Sequence, residues 1–381
     1  MALIDKSEFA GLDGIAHLCT GGEAPWLTSH TAACERFGRQ KSGGMAGRDA
    51  MFAVGARARA AAARVLGVAP GELAFLAHAS EGLNQAVRSV DWRAGDNVVF
   101  ADVEYPSLIY PAALLRERGV EPRVVRTRDH YLALDDLAAQ VDRRTRLVLV
   151  SQVSSLTGQR LDLARCAEIA RAAGAWLAVD ATHAAGVVPV PGELCDFVVS
   201  ACYKWLLATH GVGLFAYCAA RVGPLTPDTV GWHSMARRGG PRDPLAIEWR
   251  ADASRLEAGN PSLLGLAVLD NALARLGQLA PRDVEAHAST LGAELIDGLK
   301  ARGFTVLTPE APEERAGNVC FAFDDAAGLA ARLATQDVLV WGGEGRVRVS
   351  PHVHSDRDDV GAFFEALDRV AVGTVQPAGR R

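Results

Sequence analysis

Two residues able to take part in catalysis, Asp180 and Lys204, each follow a short apolar run in the chain. Asp180 comes directly after Trp176–Val179, and Lys204 lies five residues after Phe197–Val199. Apolar runs of this length are typical of strands buried on both faces of a parallel sheet. In an open α/β sheet, ligands bind at the carboxyl ends of such strands. We therefore expect a carboxylate and an amine to meet at one edge of a sheet.

A carboxylate and a lysine amine at one sheet edge meet the requirements of pyridoxal 5'-phosphate. This cofactor needs a lysine that forms a Schiff base with its aldehyde, and an acidic group that keeps its pyridine nitrogen protonated. Each residue alone has an ordinary explanation, because a lysine after a strand is usually solvated and an aspartate there is usually a helix cap. Their convergence predicts the cofactor, with Lys204 acting as general base at the α-carbon of an amino acid.

Further polar groups follow predicted strand ends, namely Glu104-Tyr105, Ser154-Ser155 and His183. A separate stretch, Ala79-Ser80-Glu81-Gly82, begins a predicted helix. Unpaired N–H groups and the positive end of the helix dipole make such a terminus a site for phosphate, to which the Ser80 hydroxyl would add a donor. The alternative is an ordinary serine N-cap with Glu81 in the first turn, and the same residues satisfy both interpretations.

Strand and helix patterns alternate from about residue 69 to residue 217. The predicted strands are Asn97–Ala101, Pro122–Arg126, Arg146–Val150, Trp176–Val179, Asp196–Val199 and Gly213–Tyr217. The predicted helices between them are Ser107–Arg118, Leu134–Val141 and Leu161–Ala173. This alternation predicts an α/β fold in which a mostly parallel sheet lies between helices.

The last third of the chain has a different pattern. Its predicted helices are Leu263–Leu279, Val284–Arg302 and Asp356–Val370, and its predicted strands are Asn318–Ala322 and Arg346–Val349. We expect a smaller α+β domain there. The 381 residues thus divide into an N-terminal segment, 1–30, that contributes to the active site, a large cofactor-binding domain, 31–260, and a small C-terminal domain, 261–381.

Composition limits the class of protein. Hydrophobic residues make up 49% and charged residues 22%, which is the balance of a globular protein. The net charge of −5 gives no basic surface for nucleic acid. No run approaches the ~18 apolar residues of a membrane span, and the N-terminus lacks a signal peptide, so we expect a cytoplasmic protein without a membrane partner.

Cysteine and histidine spacing predicts no metal centre. The seven cysteines are scattered without a C-x-x-C pair, which argues against a zinc cluster and against a disulfide framework. His352 and His354 are two positions apart, but no third ligand lies nearby in sequence, so a metal site there is the minor alternative. Cys202, beside the lysine, is expected to be packed rather than reactive.

The turn Gly21-Gly22-Glu23-Ala24-Pro25-Trp26 has two interpretations. By composition it is an ordinary turn. Alternatively, it is an N-terminal loop that lines the substrate pocket, with Glu23 or Trp26 touching the side chain of the substrate. The sequence leaves both open.

In their order along the chain, these motifs resemble the class V aminotransferases of PLP fold type I, a family that includes cysteine desulfurases, kynureninase and isopenicillin N epimerase-like enzymes. The segments that carry the resemblance are Ala79–Asn84, Glu104–Ser107, Val153–Gly158, Val179–Ala184 and Tyr203–Leu206. The resemblance implies that Ala79 and Ser80 bind the cofactor phosphate and that Tyr105 stacks on the pyridine ring. It also implies that Ser155 and His183 contact the 3-hydroxyl group, while Asp180 and Lys204 hold the ring nitrogen and the aldehyde carbon.

Two later segments extend the resemblance. Arg255–Pro261 is similar to a segment that, in dimers of the family, reaches the cofactor phosphate of the neighbouring subunit. The resemblance therefore implies a homodimer with shared active sites, in which Asn260 completes the site of the partner. Arg346–His352 resembles the small-domain motif whose arginine, here Arg348, binds the α-carboxylate of the substrate.

The sequence departs from the desulfurase pattern in two places. Desulfurases commonly have serine and histidine just ahead of the lysine, where this chain has Ala201, Cys202 and Tyr203. Tyr203 retains a hydroxyl donor for the phosphate. The stretch Asp337–Gly345 contains no cysteine, although desulfurases carry their nucleophilic thiol shortly before the carboxylate-binding arginine. Desulfurase chemistry by the usual persulfide route is therefore not expected.

The leading hypothesis for the reaction is an aminotransferase that acts at the α-carbon of an amino acid. A carbon–sulfur β-lyase, of the cysteine, selenocysteine or sulfoxide type, and an amino-acid epimerase remain open, because all three share the residues that remove the α-proton. A non-catalytic binding protein with the same fold is the alternative outside enzymes.

Overall fold

The computed structural model of the chain describes residues 1–237, 243 and 245–370. Over these residues the helices are α1 (Ser29–Lys41), α2 (Gly44–Leu66), α3 (Ala79–Arg88), α4 (Pro106–Leu114), α5 (Leu134–Gln140), α6 (Leu163–Ala172), α7 (Ala219–Val222), α8 (Leu263–Leu276), α9 (Pro281–Ala301), α10 (Ala326–Ala334) and α11 (Arg357–Val370). The strands are β1 (Ala16–His17), β2 (Leu73–Leu76), β3 (Asn97–Ala101), β4 (Glu121–Val125), β5 (Thr145–Ser151), β6 (Trp176–Asp180), β7 (Phe197–Ala201), β8 (Gly213–Tyr217), β9 (Val319–Ala322), β10 (Val338–Leu339), β11 (Trp341–Gly343) and β12 (Arg346–Val349).

The main sheet has seven strands in the order β2-β8-β7-β6-β5-β3-β4. Strands β3 to β7 run parallel to their neighbours in that group, and β8 is antiparallel to both β7 and β2. Ser151 at the end of β5 pairs with Asp180 at the end of β6, and Asp180 pairs with Val199 of β7. The predicted α/β fold with a mostly parallel sheet is confirmed, and this register brings three strand ends to one edge.

Both faces of the main sheet are covered by helices, which explains why its strands are apolar along their whole length. In β5, Val148 and Val150 pack with one set of helical residues from α2, α6 and α8. The alternate residues of the same strand, Leu147 and Leu149, pack with α3 and α4 on the other face. The two-residue period of the strand thus divides its side chains between two hydrophobic cores.

The C-terminal part contains a second, smaller sheet. Strands β11, β12 and β9 are antiparallel in that order, and residues of α9, α10 and α11 pack against them in a separate core. The N-terminal residues run beside this part, because β1 pairs with β10 and Cys19 forms a bridge with Ser350. This agrees with the smaller α+β region that the sequence predicts.

Helix α8 packs with the large sheet rather than with the small one. Its Leu266 and Leu269 belong to the core that contains α2, and a β-carbon on Gly55 of α2 would lie 3.2 Å from the Leu266 side chain. The domain boundary predicted after residue 260 remains a prediction. Residues 371–381 of the expected small domain lie outside the described residues.

Within the described part of the chain, no single helix is both long enough and apolar enough to cross a membrane. Helices α8 and α9 would pass by length and composition only when taken together, and they meet at a bend of 83°.

Candidate functional site

A cavity of about 120 Å³ lies at the carboxyl ends of β5, β6 and β7. Eight residues that the sequence predicts for the cofactor site line this cavity: Ala79, Ser80, Tyr105, Ser155, Asp180, His183, Tyr203 and Lys204. A larger open cavity, of about 590 Å³, lies beside Gln159 and Arg160 and is lined by none of the predicted site residues. We take the smaller cavity as the functional site because the titratable groups converge there.

Lys204 lies three residues after the end of β7 and is buried. Its Nζ is 3.2 Å from Nε2 of His183 and 5.8 Å from the ring centroid of Tyr105. Burial lowers the pKa of Lys204 to about 8, assisted by the positive charge of Arg348 and opposed by nearby carboxylates. A lysine with such a pKa supplies neutral amine near neutral pH, as a nucleophile or a general base requires.

Asp180 is the last residue of β6 and faces the same cavity. Its Oδ1 accepts a hydrogen bond of 2.8 Å from the Thr182 N–H. Burial raises the pKa of Asp180, while the hydrogen bonds from Thr182 and the charge of Lys204 lower it. A carboxylate this deeply buried is stable in its charged form when it faces a positive partner. The position therefore suits a cationic ring nitrogen.

Thr182 and His183 extend this edge of the sheet, and only the second was predicted as a site residue. Thr182 Oγ1 accepts a hydrogen bond of 3.1 Å from the Ala201 N–H, which ties the end of β7 to the turn after β6. His183 is buried, and burial, followed by the charges of Lys204 and Arg348, lowers its pKa well below the ordinary value. His183 is therefore a neutral imidazole beside the lysine.

The N-terminus of α3 forms one wall of the cavity. His78 is the N-cap, because its Nδ1 accepts a hydrogen bond of 3.0 Å from the Glu81 N–H. The alternative in which Ser80 is the cap is therefore wrong, and Ser80 Oγ instead lies 2.7 Å from Ser107 Oγ. A β-carbon on Gly213 would lie 2.4 Å from the backbone of His78, so only glycine lets β8 approach the start of this helix.

Tyr105 is held at the cavity by its neighbour, Glu104. The buried carboxylate of Glu104 accepts hydrogen bonds of 3.0 and 3.1 Å from the Ser151 N–H and one of 2.5 Å from the Ser151 hydroxyl. Burial raises the pKa of Glu104 to about 7, against the hydrogen bonds from Ser151 and together with the charge of Asp180. Glu104 thus joins the end of β3 to the end of β5 and fixes the backbone that carries the half-exposed Tyr105 ring.

Arg348 lies on β12 and reaches the cavity rim from the small sheet. Its Nη1 donates a hydrogen bond of 3.0 Å to the Ser155 carbonyl, and its guanidinium lies 5.0 Å from the Trp341 ring centroid. Its Nε is buried and has no hydrogen-bond partner within the described part of the chain. A β-carbon on Gly21 would lie 3.2 Å from this nitrogen and closer still to the side chains of Asn318 and Ser350, so a larger residue at position 21 would displace the groups around the guanidinium.

Four predicted residues do not line the cavity, namely Arg348, described above, and Glu23, Trp26 and Asn260. Glu23 lies near its rim, with Oε2 3.3 Å from Nε2 of His210, and its charge acts on Lys204. Trp26 packs edge-on against His30 at 4.6 Å and is 37% exposed. Asn260 is exposed and accepts a hydrogen bond of 3.3 Å from Arg48.

The buried histidines near the end of the chain bind backbone carbonyls. His352 Nε2 lies 3.0 Å from the Trp205 carbonyl oxygen, and His354 Nε2 lies 3.0 Å from that of His17. Among the residues that the structure describes, no group of three or more His, Cys, Asp or Glu side chains is arranged to hold a metal ion.

The fold and the pairing of Lys204 with Asp180 in one cavity indicate a class of enzyme, and comparison with known families identifies that class. The family model described as aminotransferase class-V matches residues 39–361. The chain belongs to this family, which confirms the resemblance predicted from its motifs.

Relatives and solved structures extend the comparison. A probable cysteine desulfurase from Methanothermobacter thermautotrophicus is 27% identical over 337 residues, covering 82% of this chain and 83% of the relative. Isopenicillin N epimerase from Streptomyces clavuligerus is 28% identical over 333 residues, covering 82% and 83%. The fold is shared with the cysteine desulfurase CsdA from Escherichia coli, at a TM-score of 0.86 and 20% identity over 97% of this chain and 98% of that structure. The cystine C–S lyase C-DES also has a TM-score of 0.86, at 22% identity, over 94% and 98%.

Proposed function

We propose that the chain is a pyridoxal phosphate-dependent enzyme that acts at the α-carbon of an amino acid, with transamination as its reaction. One observation carries the proposal: a lysine amine whose pKa is lowered to about 8 shares a cavity with a buried aspartate and a neutral histidine. This combination supplies a nucleophilic amine, a partner for a pyridinium nitrogen and a donor for a ring oxygen. A solved structure with the same fold, a C-DES mutant with glycine covalently linked to its pyridoxal phosphate cofactor, supports it.

The donor set fits each part of the cofactor. The N–H groups at the start of α3, with Ser80 and the Tyr203 hydroxyl, would hold the phosphate. Asp180 would hold the pyridine nitrogen, and Tyr105 would cover the ring. When bound, the cofactor withdraws electrons from the α-carbon of an attached amino acid.

The chain's own residues then perform three tasks. Arg348 binds the α-carboxylate bidentately, since a guanidinium presents two parallel donors. Lys204, as its neutral amine, would take the α-proton and hold it at Nζ for its return in transamination. His183 lies beside Lys204, and the carbonyl of Ser155 accepts a hydrogen bond from Arg348. Both residues would hold the ring oxygen of the cofactor. These roles remain proposals for each residue.

A carbon–sulfur β-lyase is the second candidate, favoured by the groups at the cavity rim. The ring of Tyr203 stacks on His210 at 4.1 Å, and His210 is 3.3 Å from Glu23. His210 and Glu23 would supply a proton at this rim to a thiolate that leaves the β-carbon. Glu23 would also touch the substrate side chain in either reaction, as the rim loop interpretation requires.

Desulfurase chemistry by a persulfide is not proposed. The stretch before Arg348 forms β10 and β11 and carries no thiol. Cys202 and Cys320 are fully buried, and burial raises the pKa of both thiols, that of Cys320 to about 11. Cys19 lies near Arg348, but burial raises its pKa as well.

The test is product analysis with a panel of amino acids. We expect a 2-oxo acid to form together with the aminated cofactor, and no free ammonia. Release of ammonia and pyruvate, with sulfide from cysteine or with cysteine persulfide from cystine, would support the lyase instead, and racemised substrate without other products would support an epimerase. Borohydride reduction should fix the cofactor on the Lys204 peptide, while Lys300→Ala, a change on the surface, serves as the control for loss of Lys204. Reduced cofactor on another lysine would contradict the assignment.

A homodimer with shared sites is the proposed assembly. Asn260 lies away from the cavity of its own chain, on a surface where Arg48 also stacks on Trp232 at 5.4 Å. Helix α4 exposes Tyr110 and Leu114, apolar residues that a second copy would cover. Mixing inactive Lys204→Ala subunits with Asn260→Ala subunits should restore one complete site per dimer. Full activity of a monomer in sedimentation experiments would refute this assembly.

The location of the protein remains a prediction from composition. Its charge and hydropathy support a cytoplasmic enzyme that acts on a small molecule, without nucleic acid or membrane as a partner.

A further inference from the structure

The indole of Trp205 identifies which nitrogen of His183 carries its proton. Trp205 Nε1 lies 3.3 Å from His183 Nδ1. An indole nitrogen is a donor only, so the nitrogen that faces it must be an acceptor without a proton. A neutral imidazole with an unprotonated Nδ1 carries its hydrogen on Nε2.

A second donor reaches the same nitrogen from the small sheet. Asn318 Nδ2 lies 2.9 Å from His183 Nδ1, and the Ser350 hydroxyl donates to Asn318 Oδ1 at 2.8 Å. Because the indole requires an unprotonated Nδ1 on His183, the Asn318 amide must turn its Nδ2 toward that nitrogen. In this orientation Asn318 Oδ1 faces the Ser350 hydroxyl and accepts its hydrogen bond. Both polar atoms of the Asn318 amide are used in this network, with Nδ2 toward His183 and Oδ1 toward Ser350.

Glycine at position 317 gives the indole its place. A β-carbon on Gly317 would lie 2.5 Å from the Trp205 ring, so any other residue would displace it. His183 and Trp205 are both buried, and a second proton on the imidazole would face two donors and the nearby lysine. The surroundings therefore hold His183 neutral as well as fixing its tautomer.

We infer that Trp205 and Asn318 are positioning residues that lock His183 as the Nε2–H tautomer, so that it acts as a hydrogen-bond donor toward Lys204 Nζ and toward the ring oxygen of the bound cofactor. The ligand in this inference rests on the proposed function, whereas the tautomer is a property of the chain itself. Because Asn318 also contacts Ser350, two residues after Arg348, the network joins the carboxylate-binding strand to the histidine.

The first measurement is ¹⁵N NMR of the full chain labelled at histidine, with and without pyridoxal phosphate. His183 should show an unprotonated Nδ1 and a protonated Nε2, and should keep this form as the pH falls to 5. A proton on Nδ1, or an imidazolium at pH 6, would overturn the inference. This measurement requires no variant and holds whether or not the cofactor binds, so failure of the proposed function remains distinguishable.

The second measurement uses Asn318→Asp, which replaces a donor with an acceptor and should move the proton to Nδ1. In this variant we expect the pH midpoint of the visible absorbance of the bound cofactor to shift by about one unit, because His183 no longer donates to the ring. Asn271→Asp is the matched control, since Asn271 Nδ2 lies 2.9 Å from Nδ1 of His30 outside the cavity. An unchanged His183 tautomer in Asn318→Asp, or an equal shift in the control, would contradict the inference.

Discussion

The reactivity of Lys204 provides a quantitative prediction. Its pKa is lowered from the ordinary 10.5 to about 8, chiefly by burial and next by the charge of Arg348. This lowering of the pKa corresponds to about 3 kcal/mol between the two protonation states. At pH 7 about 9% of the amine would be neutral, against about 0.03% for an ordinary lysine. Lys204 should therefore react about 300 times faster than a solvent lysine of equal nucleophilicity.

Removal of one charge at a time separates the causes. Arg348→Gln abolishes the cation that disfavours the protonated amine, so the pKa of Lys204 should rise. Asp180→Asn abolishes a carboxylate that favours the protonated amine, so the pKa should fall further. Both substitutions leave the burial of the lysine in place, and we therefore expect opposite displacements around the same starting value.

Competitive acetylation of the cofactor-free chain measures this titration. The labelling of Lys204 by trace acetic anhydride is followed by mass spectrometry from pH 6 to pH 11, with exposed Lys300 in the same samples as the reference. Labelling should rise about tenfold per pH unit and level off above pH about 8. A midpoint above 10 in the unaltered chain, or displacements in the same direction for both variants, would refute the electrostatic argument.

Three further predictions concern the site and its support. Asp180→Asn should keep the cofactor bound but reduce α-proton exchange, followed by deuterium NMR, by orders of magnitude, and near-normal exchange would count against its role. Arg348→Lys should chiefly raise KM for amino acids, about 10- to 100-fold, and equal turnover of an amino acid and its decarboxylated amine would exclude the carboxylate role. Burial lowers the pKa of His17 to about 4 and of His352 to about 3, so the folded chain binds fewer protons than the unfolded one below pH 6.5. Between pH 6.5 and pH 5, urea titrations should show that these two histidines lower the free energy of unfolding by about 3 kcal/mol, and a pH-independent value would contradict this.

The sequence predicts the centre of the site because its residues follow continuous buried strands. Asp180 directly follows an apolar run and Lys204 lies five residues after another, and the register of a parallel sheet then places such residues at one edge. Strand β2 was not predicted, since its four residues follow Pro70-Gly71 and show no alternation. The domain boundary likewise depends on which core receives α8, which a helical pattern alone does not specify.

Residues that act through tertiary contacts escaped prediction for a physical reason. Asn318 lies 135 positions from His183, and only the docking of the small sheet brings their nitrogens to 2.9 Å. His78 caps α3 although histidine is not a preferred cap residue, so its position before Ala79 gave no indication. In contrast, the interpretation that Trp26 touches the substrate side chain was based on the composition of a turn. The composition of a turn does not determine where a large side chain packs.

Burial explains why one cavity contains both neutral bases and carboxylates that need a partner. It lowers the pKa of Lys204 and His183 and raises that of Asp180 and Glu104, because it disfavours every charged form. A positive group beside Asp180 would therefore stabilise its carboxylate, and a negative group beside Arg348 would stabilise its guanidinium. The Nε of Arg348 has no hydrogen-bond partner among the described residues. A pyridinium ring and an amino-acid carboxylate together supply these two missing charges. This complementarity distinguishes a binding site for both groups from a buried polar cluster that only stabilises the fold.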